Sequence, residues 1–107
     1  MDYRTLKRLM ADEKFLEQRI QSYMQKRLLN ESSEYFEIKG HLEKSRHNLD
    51  FLIEIDQRFN DWALIVCYYA AYHAALALII SKGYNSKSHD ATLCILIKEF
   101  YELELSR

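Results

Sequence analysis

Residues Trp62 to Ile80 read WALIVCYYAAYHAALALII. No side chain in this stretch carries a formal charge at neutral pH, and apolar residues fall on every side of a helical wheel. A helix without a polar face is buried all round, either at the centre of a helical protein or across a membrane. The length permits a span. Against one stand Tyr68, Tyr69, Tyr72 and His73 in mid-segment, the high alanine content, and three further amphipathic segments that need an apolar partner. The stretch therefore reads as the buried central helix of a soluble helical protein. It is bounded by Asn60 or Asp61 as N-cap and by Gly83, which suits the left-handed position after a helix. Its alanines (Ala63, Ala70, Ala71, Ala74, Ala75, Ala77) let neighbouring backbones approach, while Trp62, Ile65, Val66, Tyr69, His73, Leu76 and Ile80 share one side.

The flanking sequence fits the same picture. A first helix is expected over residues 4–29, with Leu6, Leu9, Leu16, Ile20, Tyr23 and Leu28 at helical spacing and Arg4, Arg8, Arg19 and Lys26 on another side. Asn30 to Ser33 break the pattern, and a second helix follows to about Asp56 on a stripe of Ile38, Leu42, Leu49, Leu52 and Ile53. Gly40, inside it, suggests a close crossing or a bend; His41 and His47, among charged neighbours, read as surface residues. After the polar turn Tyr84 to Lys87, Ser86 or Ser88 caps a last helix reaching about Leu105. The absence of proline and the presence of only two glycines argue against a turn-rich β protein. The expected architecture is all-α: an up-and-down antiparallel four-helix bundle in one domain, 1–107, around the third helix.

The charge pattern favours packing over a steady polyanion track, with a local basic patch left open. Net charge is −1; residues 1–30 carry seven basic against four acidic side chains, and residues 31–60 carry four against seven. Such alternation suits helices, or two chains, packing together. The apolar helix surface exceeds what four short helices cover, so a homodimer is expected. Cys67 and Cys94 lie among apolar residues and read as small hydrophobes. The N-terminus has no apolar signal core, which points to the cytoplasm. There is no phosphate-cradling glycine loop and no zinc-ligand spacing, so neither a metal nor a cofactor is expected.

The polar residues that stand out are Tyr68, Tyr69, Tyr72 and His73, with Lys82, Lys87 and His89 near the other end of the helix. Packed tyrosines and a core histidine form one reading; a groove that stacks a base on aromatic faces while lysine meets phosphate forms the other. His89, just inside a helix start beside Lys87, is placed to meet an anion.

The blocks Asp61-Trp62-Ala63, Tyr68-Tyr69-Ala70-Ala71-Tyr72-His73-Ala74-Ala75, Gly83-Tyr84 and Ser88-His89 together resemble the core of a HEPN domain, the "higher eukaryotes and prokaryotes nucleotide-binding" family. The resemblance covers about residues 35–105, with 1–32 as an additional N-terminal helix and linker. It implies a helical bundle that dimerises, a nucleotidyltransferase-type partner in a toxin–antitoxin setting, and nucleotide or RNA binding. Many members of that family cleave RNA without metal through an arginine followed, four to six residues on, by histidine. No arginine precedes His41, His47, His73 or His89 at that spacing. The expectation is therefore a binding and interaction module, with an RNA-cleaving toxin or a purely structural dimerisation domain as alternatives.

Overall fold

The computed structural model describes residues 1–101. In chain order these form α1 (Tyr3–Ala11), α2 (Glu13–Gln25), β1 (Leu29–Glu31), α3 (Phe36–Glu54), a 3-10 turn (Gln57–Phe59), α4 (Asn60–Ser81), β2 (Tyr84–Ser86), α5 (His89–Leu96) and a π turn (Ile97–Tyr101). The described residues are mostly helical, with one small sheet.

Three local departures from the sequence reading have clear causes. The expected first helix is two helices, because Asp12 takes an extended conformation and its carboxylate accepts from the backbone N–H of Phe15, capping α2. The segments after α2 and α4 pair as antiparallel strands, with Leu29 opposite Ser86 and Glu31 opposite Tyr84. Three residues are too few to show an alternating pattern. Gly40 is exposed and a Cβ there would meet nothing, so it marks neither a crossing nor a contact. The end of the expected last helix, residues 102–105, lies outside the described residues.

Gly83 does take the left-handed conformation, with φ 89°, and its N–H bonds the Ile80 carbonyl at 2.9 Å. Its backbone conformation turns the chain from α4 into β2. Arg27 (φ 59°) performs the same turn after α2, where the N–H groups of Arg27 and Leu28 reach back to Met24 and Tyr23.

The core lies at one end of the molecule. Leu9, Leu16, Ile20, Leu29, Leu76, Ile79, Ala91, Cys94 and Ile95 form it, drawn from α1, α2, β1, α5 and the C-terminal half of α4. That placement corrects the expectation of a central helix buried throughout. Only Ala70, Leu76, Ala77, Ile79 and Ile80 of α4 are buried. Its N-terminal half packs mainly on α3, with His89 of α5 against Tyr68, and leaves Trp62, Leu64, Ile65, Tyr68 and Tyr69 exposed, Leu64 to 76%. Leu76 and Ile80 thus lie inside while Trp62, Ile65 and Tyr69, on the same side of the helix, do not. α3 is still less covered: Ser45 is its one buried residue, and Leu42, Leu49, Phe51 and Ile53 face outward. The segment Gln57–Ser81 is long and apolar enough to cross a membrane by length and composition.

Candidate functional site

The start of α5 is tightly fixed. The Ser88 hydroxyl accepts from the Ala91 N–H at 3.3 Å, its own N–H donates to Ser86 Oγ at 3.1 Å, and its carbonyl accepts from the Ser86 and Thr92 hydroxyls. These bonds hold His89, the first residue of α5, against the two tyrosines that α4 presents one turn apart. The imidazole stacks on Tyr72 with centroids 4.3 Å apart and rings 20° from parallel, and it lies 5.4 Å from Tyr68 at 18°. Tyr68 and Tyr72 are themselves parallel to within 7°. The three rings form one wall of an open groove of about 300 Å3, completed by Ala71, Ala75, Leu93 and Leu96.

The groove is apolar and aromatic, with an imidazole and two phenols as its polar edge and no lysine or arginine among the described residues that line it. It suits a flat ring or an aliphatic side chain, and offers no cation to a phosphate group.

The seven residues singled out from sequence separate into distinct places. Tyr68, Tyr72 and His89 meet in the groove. Tyr69 stands half-exposed, edge-on to Tyr68 at 5.5 Å. Lys82, at the end of α4, lies over the Phe100 ring and lines a different, polar cavity of about 470 Å3 with Glu31, Ser32, Ser33 and Tyr84. The Lys87 N–H donates to the Leu28 carbonyl at 2.8 Å, beside the sheet, and its side chain is exposed.

His73 turns toward α3. Its Nδ1 lies 2.9 Å from Nδ1 of His41, and the two rings stack at 5.2 Å. His41, expected on the surface, is instead half-buried and partnered. Burial holds both imidazoles below their ordinary value; the Lys44 ammonium adds to this, and His41 also acts on His73. No group of three or more His, Cys, Asp or Glu side chains that could hold a metal ion occurs among the described residues.

One further feature was missed in the sequence. Leu64, Cys67, Ala71, Ala74 and Leu78 follow heptad spacing along α4, and four of them, Ala74 excepted, are exposed. Ala71 borders both the aromatic groove and a second, apolar one of about 240 Å3, lined by Ser45, Leu49, Cys67, Ala70 and Ala74. Cys67, expected to be covered, lies exposed on this strip, while Cys94 is buried in the core. The three- and four-residue spacing is the sequence signal that marks it.

No family model, curated protein or solved structure matches the chain.

Proposed function

We propose that this protein is a helical association module that pairs with a second copy of itself through α4. One observation carries the reading: the exposed strip Leu64, Cys67, Ala71, Ala74, Leu78 is self-complementary. Ala71 lies midway between the two leucines, so an antiparallel pair of α4 helices centred there sets Leu64 of each copy against Leu78 of the other. Small residues at the centre allow close approach, and the grooves on either side of Ala71 receive side chains from the facing helix. The two α3–α4 hairpins then make an antiparallel four-helix bundle.

Light scattering at micromolar concentration tests the proposal, which expects a dimer. A monomer throughout would overturn it; adsorption of the monomer to lipid vesicles would reassign the face to a membrane.

The stacked Tyr68, Tyr72 and His89 favour a second reading, a cytoplasmic HEPN-like module. In it the groove receives a nucleotide base or an RNA base, and the dimer works beside a nucleotidyltransferase-type partner in a toxin–antitoxin system. RNA cleavage at a noncanonical site is the variant of this reading in which His89, the accessible imidazole, does chemistry. Nucleotide titration followed by tyrosine and His89 resonances tests it; unshifted resonances would refute it.

A further inference from the structure

We infer that His41 and His73 form a proton-sensitive latch that holds α3 against α4. α3 has no other substantial packing partner, and its single buried residue is Ser45. Among the described residues, two side-chain hydrogen bonds join the helices. Ser45 Oγ donates to the Ala70 carbonyl at 2.8 Å, and one turn away the His41 and His73 Nδ1 atoms share a bond of 2.9 Å.

An N···N bond between imidazoles needs one N–H and one lone pair. With both rings neutral, one tautomer supplies the proton and the other accepts it. A second added proton removes the last acceptor and sets two N–H groups and two positive charges against each other at this distance. The charged group acting on both rings is Lys44, on α3, which adds further positive charge. From α4, Tyr72 contributes its ring edge to His73. Among the described residues, no carboxylate acts on either imidazole to relieve the repulsion.

Acid therefore works against the latch in a defined direction. Both imidazoles sit below their ordinary value in the folded chain, so the released form takes up protons first as pH falls through about 6.5. The docked form is most favoured above that value and loses ground below it. The opening constant of α3 rises about tenfold per pH unit for each proton that the docked pair refuses.

Amide hydrogen exchange of α3, corrected for intrinsic rates and followed from pH 7.5 to 5, reads this directly, with α2 as internal reference. Acid should raise exchange in α3 while leaving α2 behind. His73→Asn should reduce the slope, and His41→Asn with His73→Asn should flatten it; His47→Gln and His89→Gln should leave it unchanged. Equal slopes in the wild type and the double variant would overturn the latch. If that variant does not fold, the imidazole Hε1 titrations of the wild type decide. Independent midpoints at the ordinary histidine value overturn the proposal, and two depressed, interacting steps uphold it.

Discussion

Replacing Leu64 by alanine separates the stability of the chain from its self-association. Leu64 is 76% exposed in the protomer, so its truncation removes little intramolecular packing, and alanine is the better helix former. In the antiparallel pair, each Leu64 is covered by Leu78 of the other copy, itself 47% exposed before pairing. Burying the open part of a leucine contributes about 1.5 kcal/mol. The symmetry doubles this to about 3 kcal/mol per dimer, weakening association on the order of 100-fold. Sedimentation equilibrium on wild type and Leu64→Ala gives both dimer constants, while denaturant unfolding at low concentration gives the protomer stability. The reasoning fails if the two dimer constants agree within a factor of three or so. It also fails if the variant loses protomer stability comparable to its loss of association, because Leu64 would then be packed within its own chain.

Thiol labelling at pH 8 should modify Cys67 readily and Cys94 only on unfolding, since burial pushes the Cys94 thiol up to about 11. Under the proposed pairing, Cys67 labelling also slows as protein concentration rises, and a rate independent of concentration would place it outside the interface. Gly83→Ala meets no steric obstacle, since the nearest atom to the added Cβ is the Ser32 carbonyl oxygen at 3.8 Å. The left-handed backbone alone should cost about 1 kcal/mol, read as a lowered Tm; an unchanged Tm would show that the turn relaxes freely.

Features that depend on neighbouring residues were legible in the sequence. The Gly83 turn, the Ser88 cap and the helical character of Trp62–Ile80 follow from local steric and hydrogen-bonding preferences. Asp12 was legible too: an aspartate before Glu-Lys-Phe is N-cap chemistry, but the apolar spacing continues across it and hid the break. The strands Leu29–Glu31 and Tyr84–Ser86 were not legible, because each exists only through the other. The candidate site divides along the same line. Tyr68 and Tyr72 share a face by spacing, and the Ser88 cap brings His89 to them. His73 adjoins Tyr72 in sequence but not in the groove. One residue is 100° on a helix, and that rotation carries His73 to α3, where its partner His41 lies 32 residues earlier.

Hydropathy alone could not show how α4 is buried. From Ala70 onward its larger side chains Leu76, Ile79 and Ile80 are buried in their own chain, while Leu78 stays exposed. From Trp62 to Tyr69 the composition is as apolar, yet α3 is the main neighbour and most of the large side chains stay exposed. An apolar run records that water is excluded somewhere, without recording which molecule excludes it. The heptad strip supplies that missing information for the proposed pair. Leu64 lies in the open half of α4 and Leu78 beside the core, so an antiparallel partner lays the well-supported end of one helix over the unsupported end of the other. The same reversal applies at both ends of the pair. A parallel arrangement would stack the two open halves together and leave each pair of α3 arms without the core's support, which is why the proposed pairing is antiparallel.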